Sequence, residues 1–256
     1  MSGQSLEMLG LLAPAFFAGL VVASTHVPLG QEVLKRGIIF IDLAIAQIAA
    51  LGVVVGSVIF HAEDSIFSFI MALIFALGGS GIFSWLEKKA PKFQEPFIGC
   101  AFVISASVIL LLLAGDPHGG EEVEGLLAGQ ILWVGWHQVG ITALVYAAIL
   151  FFWIGFQEKR AVIFYILFPV MITLSVQLVG VYLVFASLIF PALAVVRINH
   201  YKVISGVLIS VFAYFLGLLS SYLFDLPAGP AIVVSLALTG IAGYFFHEKI
   251  IRKNPE

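Results

Sequence analysis

The sequence predicts an all-α fold, a polytopic transmembrane helical bundle of about nine helices, with its N-terminus outside and its C-terminus cytoplasmic. Three observations carry this expectation: a composition that water would not tolerate, apolar runs of membrane-crossing length, and basic residues confined to alternate connections. Of the 256 residues, 61% are apolar and only 11% are charged, and the mean hydropathy is +1.12. A water-facing domain of this size could not hide that much apolar surface, so the solvent is lipid. The 23 Phe crowd into runs such as 67–75 and 151–168, as expected for side chains facing acyl tails.

Stretches able to cross about 30 Å of hydrocarbon, roughly 17 to 25 residues each, cover 8–28, 38–60, 66–86, 97–114, 139–156 and 203–224, with a shorter one over 231–246. Residues 161–196 form an apolar stretch about twice one span in length, interrupted by Pro169, Gly180 and Pro191. It reads as two helices with a tight bend near 177–180. Residues 1–8 hold no Lys or Arg, so the first run reads as a retained helix and not as a cleavable signal peptide.

Positive charge tests this threading, because Lys and Arg accumulate on the cytoplasmic side. All 12 basic residues follow the first, third, fifth, seventh and ninth spans: Lys35 and Arg36; Lys88, Lys89 and Lys92; Lys159 and Arg160; Arg197 and Lys202; Lys249, Arg252 and Lys253. The opposite connections carry Glu63 and Asp64, then Asp116, Glu121, Glu122 and Glu124, then Asp225. Were 161–196 a single span, the last two basic clusters would change sides. In the second outer connection, the apolar piece 126–134 is too short to cross and is expected as a short interfacial helix, with Trp133 and Trp136 at headgroup level. The chain is expected to be one transmembrane domain over 1–256.

Several functions are excluded. No Gly-rich phosphate loop is present, and no soluble stretch exceeds 114–138, so any ATP is handled by a partner. No nucleophile and base fall in a catalytic arrangement. The one cysteine, Cys100, cannot form an internal disulfide and is expected to pack as a small apolar group. Small residues at Gly52 and Gly56, and from Gly78 to Gly81, are spaced for close helix contact.

Ionisable groups at membrane depth need a partner or a wet path. Asp42 is the clearest, early in the second span, and reads either as lining a path or as a hydrogen-bond partner of a neighbouring helix. Gln47 lies five positions on, about 140° away around a helix, so both line one path only if the cavity is wide. His26 stands in the last turn of the expected first span, where an interfacial role competes with a metal-path role. Gln177 and Ser175 lie near the bend, where freed carbonyls need donors. Ser105, Ser107 and Thr173 are expected to bond back to their own helices. Outside, His61 with Glu63 and Asp64, and His118 with Glu121, Glu122 and Glu124, offer ligands for a borderline divalent cation; a solvated acidic loop or a docking site for a partner fits the same residues.

Three segments together resemble the membrane subunit of ABC importers for metal ions, the zinc and manganese permease family. One runs from Arg36-Gly37 through Asp42 and Gln47 to Gly52, similar to that family's basic residue, Asp, His and Gly. Another runs from Val176-Gln177 through Gly180 and Leu183 to Pro191-Ala192, and the third is Asp225-Leu226-Pro227-Ala228-Gly229-Pro230. Two departures are visible. Gln47 takes the place of the family's His by its distance to Gly52, with Asp42 one position early. The connection between the fifth and sixth spans, normally an acidic coupling helix, is only 155–160.

The resemblance implies alternating access by a homodimer in the bacterial inner membrane, a separate ATP-binding subunit, and a periplasmic or lipid-anchored metal-binding protein. It implies no cofactor bound by this chain, a divalent metal ion as cargo, and no nucleic-acid partner. Asp42, Gln47 and His26 are then the expected metal contacts, with Gln177 along the path. Glu158, Lys159, Arg160 and Arg197 become candidate contacts with the ATPase, helped by 87–94 and 197–202, and Glu121 and Glu122 candidate contacts with an outer partner. The residues themselves leave open a proton- or sodium-coupled secondary transporter with Asp42 as relay, and a membrane-embedded enzyme or assembly factor.

Overall fold

Hydrocarbon offers the backbone no hydrogen bonds, so a chain with this hydropathy must satisfy its amides within helices. The computed structural model describes residues 3–60, 65–114, 125, 127, 129, 131–198 and 201–253. Nine α-helices are traced through them: α1 (Gly3–Arg36), α2 (Ile41–Phe60), α3 (Ser65–Lys89), α4 (Gln94–Leu112), α5 (Trp136–Gly155), α6 (Arg160–Val179), α7 (Val181–Ala194), α8 (Lys202–Phe224) and α9 (Ala228–Lys253). No strand occurs among the described residues.

Eight helices contain a segment long and apolar enough to cross a membrane. The exception is α7, with 14 residues. At 1.5 Å per residue it reaches about 21 Å, short of the roughly 30 Å of hydrocarbon. The expected break near 177–180 falls on one residue, Gly180, whose φ of 82° and ψ of 162° end α6 and start α7 without any longer loop. A side chain at that φ would be strained.

Two expectations change in detail. The first span does not stop at residue 28: α1 runs through Pro14 and Pro28 to Arg36, so His26 lies well inside the helix. The piece 126–134 is partly buried over its described residues 131–134. It contains a short 3-10 turn, Ile131–Trp133, packed against α1 and α9, with Ile131 and Val134 buried and Trp133 and Trp136 exposed. Just before it, Gly129 adopts φ 68° with its α-carbon against the Val179 carbonyl, where no Cβ would fit.

The helices form two compact units. One comprises residues 1–36, 128–147 and 178–256; here α1 and α9 both pack against α7 and α8. Its centre is α7, buried on nearly every side from Val181 to Ala194, as a short helix shielded by protein must be. Between helices in lipid, association rests on close packing and not on exclusion of water, and glycines supply the approach. Gly30 brings α1 onto the Leu188 carbonyl, Gly240 brings α9 onto Phe190, and Gly217 brings α8 onto Ile232 of α9. Within the same unit Ser187 bonds both the Leu183 carbonyl at 2.6 Å and the Tyr214 hydroxyl at 2.8 Å.

The other unit comprises residues 37–127 and 148–177. Its α2 packs against α3 and α4 and buries Ile41, Ala44, Ile45, Ala46, Ala49, Ala50 and Val54. Gly52 faces the backbone of α3, and Gly79 takes the Ile48 side chain, whereas Gly78 and Gly81 have open space around them. The small-residue spacing thus works at Gly52 and Gly79 but not along the whole of 78–81.

A matched pair of variants tests this packing. A Cβ at Gly52 would stand 2.6 Å from the Met71 carbonyl oxygen, while one at Gly78 would meet nothing within 4 Å. Gly52→Ala is expected to cost about 1–3 kcal/mol by overpacking and to lower the Tm in detergent. Gly78→Ala is expected to leave the Tm unchanged.

Candidate functional site

The start of α2 collects the polar groups of the second unit. After Gly37, at φ 72°, the chain turns so that the Ile41 N–H donates to the Ile38 carbonyl and the Ala44 N–H to the Phe40 carbonyl. Asp42 stands in the first turn of α2, where helical N–H groups have no partner one turn back. It is 0% exposed. Among the described residues neither of its carboxylate oxygens makes a hydrogen bond, although the amides of Asp42 and Leu43 lie nearby. A buried, unpartnered carboxylate is expensive in any apolar medium. Gln47, one and a half turns further on, is also buried.

A second carboxylate reaches the same helix start from α4. Glu95 Oε1 accepts the Phe40 N–H at 3.2 Å, while Oε2 is buried without a partner. Its neighbour Gln94 fixes this placement: the Gln94 amide donates to the Phe83 carbonyl of α3 at 3.3 Å and to the Tyr165 hydroxyl of α6 at 2.7 Å. Ser80 of α3 donates to the Tyr165 carbonyl at 2.6 Å. Two helices, α3 and α6, therefore hold the first turn of α4 where Glu95 can reach the start of α2. Sequence reasoning missed Glu95, which reads as the tail of a charged connection; its one signal is its place in the first turn of an apolar helix.

His26 belongs to the first unit and is 0% exposed, so the interfacial reading does not hold. Its Nδ1 lies 2.9 Å from the Val22 carbonyl. A carbonyl can only accept, so Nδ1 carries the hydrogen. In the neutral ring Nε2 then presents a bare lone pair, and that atom is buried with no partner among the described residues. The hydroxyl of Thr25 adds a contact to Nδ1 at 3.3 Å, and the Tyr146 ring lies beside the imidazole, with 6.3 Å between centroids. This is the arrangement by which a metal-binding histidine is held in one tautomer.

The remaining candidates separate. Gln177 is exposed near the end of α6. Ser175 donates to the Met171 carbonyl one turn back in its own helix, so it does not cap the break at Gly180. Thr173, expected to bond back to its helix, has a buried hydroxyl without a partner. Glu158 and Lys159 lie exposed on a 3-10 turn, Gln157–Lys159, which is all that joins α5 to α6. The Arg160 guanidinium stacks over the Trp153 ring at 5.2 Å, and Arg197 covers the Tyr244 ring at 4.7 Å while donating to its hydroxyl at 2.7 Å. Glu121, Glu122, Glu124, His61, Glu63, Asp64 and His118 lie outside the described residues. Among the described residues no three His, Cys, Asp or Glu side chains converge as a closed metal site.

A multi-pass helical bundle with unpaired ionisable groups at membrane depth has the build of a membrane transport protein. The chain belongs to the ABC 3 transport family, whose model matches residues 8–160 and 158–247. It is 28% identical over 246 residues to a Thermotoga maritima protein named a probable metal transport system membrane protein, covering 87% of this chain and 85% of that one. It is 23% identical over 267 residues to the high-affinity zinc uptake system membrane protein ZnuB of Haemophilus influenzae, covering 95% of this chain and all of that one. Among solved structures, PsaBC from Streptococcus pneumoniae in complex with Fab shares the fold, with a TM-score of 0.78 at 22% identity over 99% of this chain and all of the matched chain. The protein is thus a multi-pass membrane permease subunit and not itself a catalyst.

The hydrogen bonds that seat α4 generate a measurable expectation. Tyr165→Phe removes the hydroxyl that takes the Gln94 amide proton and leaves a buried donor short of a partner. The expected loss is about 1–3 kcal/mol, read as a lower Tm in detergent, and an unchanged Tm would remove this bond from the account.

Proposed function

We propose that this chain is the membrane-spanning permease subunit of an ATP-driven importer for divalent metal ions, zinc or manganese ahead of iron, and that it forms the translocation path. The observation that carries the reading is the carboxylate of Asp42, fully buried and unpartnered at the start of α2 in a member of the ABC 3 transport family. A cation passing the site is what would answer that charge. Gln47 adds an amide on the same helix; in the first unit, His26 by itself offers a separate candidate contact through an imidazole nitrogen with a free lone pair. Carboxylate, amide and imidazole are each ligand types for a borderline divalent ion, and few ligands at any one station hold it weakly enough to release it. The metal named for the Haemophilus relative supports zinc as cargo, and manganese uses the same ligand types.

The working assembly is a homodimer of this chain in the bacterial inner membrane, with two ATP-binding subunits on the cytoplasmic side. A periplasmic or lipid-anchored metal-binding protein delivers the ion outside. The alternation of Lys and Arg supports a cytoplasmic side for the C-terminus and the connections 87–94, 155–160 and 197–202. Because the turn Gln157–Lys159 is too small to serve as a coupling helix alone, Glu158, Lys159 and Arg160 share the ATPase contact with 197–202, where Arg197 is held against Tyr244. Glu121 and Glu122 face the delivering protein, and Gln177 lines the outer part of the path.

Two measurements test this. In vesicles containing the assembled transporter, Asp42→Asn is expected to cut the initial rate of ATP-dependent zinc or manganese uptake about 10-fold or more without loss of assembled protein. Uptake that persists without ATP and collapses with the proton gradient would replace the importer by a proton-coupled carrier. Independently, Cys introduced at Lys88 and at Lys159 should label from the same side; labelling from opposite sides would break the threading.

A further inference from the structure

We infer that Glu95 completes the Asp42 site, so that the two carboxylates together bind a divalent cation at the start of α2. This rests on the reading of Asp42 as a cargo contact and adds a ligand to it from a second helix. Glu95 Oε1 is engaged by the Phe40 N–H at 3.2 Å, two residues before Asp42, which fixes the Glu95 carboxylate beside the first turn of α2. The start of α2 thus holds one carboxylate of its own, in its first turn, and a second delivered to its approach from α4. Three buried oxygens, Oδ1 and Oδ2 of Asp42 and Oε2 of Glu95, have no hydrogen-bond donor among the described residues.

Asp42 is fully buried and Glu95 partly so, and two carboxylates brought together where water is scarce are relieved by a cation that neutralises them. No Lys or Arg is ion-paired with either one among the described residues. A divalent ion neutralises both charges at once and uses the oxygens that now lack partners. Oxygen ligands suit manganese and other hard ions better than imidazole does. With only two protein side chains the ion keeps part of its water shell, as a site of passage requires. The charge pattern puts the starts of α2 and α4 on the cytoplasmic side, which makes this the inner station of the path. Gln94, bonded to Phe83 and Tyr165, is the positioning residue that aligns α4 for it.

Binding of Mn2+ alone to the full chain in detergent, followed by electron paramagnetic resonance, tests the pair. Glu95→Gln keeps an oxygen to accept the Phe40 N–H but removes the charge. It is expected to weaken Mn2+ binding about 10-fold or more at unchanged Tm, as is Asp42→Asn. The double variant is expected to lose little beyond either single one, because the two residues share one ion. Should Glu95→Gln bind Mn2+ like the wild type while Asp42→Asn does not, Glu95 is a helix cap only: the inference falls and the Asp42 reading stands. Wild-type binding by both single variants would overturn both. If either single variant lowers the Tm, the cycle measured on the folded fraction decides, and losses that simply multiply in the double variant overturn the shared site.

Discussion

A buried carboxylate without a donor is the constraint around which the second unit is organised. Lipid cannot hydrate Asp42, and protein could have silenced it with a lysine or an arginine. Neither happens among the described residues. The surrounding helices hold the charge in place: α2 is buried along most of its inner half, α3 approaches it closely at Gly52, and α4 is tied down by the Gln94, Tyr165 and Ser80 hydrogen bonds. Well-packed surroundings can sustain unsatisfied groups, because opening the structure to relieve them would forfeit many contacts.

The first unit solves a related problem with a different group. His26 could be a mere core histidine bonded at both nitrogens, but only Nδ1 is occupied. Val22 fixes the tautomer, Thr25 backs it, and Tyr146 shields the ring. Asp42 and His26 each leave an acceptor over, carboxylate oxygens in one unit and an imidazole lone pair in the other, whereas Gln31 Nε2 and Arg160 Nε are buried donors without a partner among the described residues. Acceptors without donors are what a cation seeks.

The lipid-crossing helices were legible because hydropathy and the placement of Lys and Arg act over whole segments, and the bend at Gly180 was legible from glycine within an overlong apolar run. The shortness of α7 was not, because a helix sheathed by protein and a helix sheathed by lipid are equally apolar. Pro28 drew the end of the first span too early, since proline within a long membrane helix need not stop it; His26 was therefore placed at an interface it does not occupy. Asp42 stood out as an isolated charge in an apolar run, and Gln47 followed from its position. Glu95 did not stand out, because a carboxylate beside Lys88, Lys89 and Lys92 looks like part of a wet connection until the fold lays it against another helix.

The seat of Asp42 on a helix start also bears on how long an ion stays. Backbone N–H groups at that end carry partial positive charge, so part of the carboxylate's pull is already spent before any metal comes near. Attraction is thereby trimmed without removing the ligand, shortening the dwell of each ion and favouring throughput over storage.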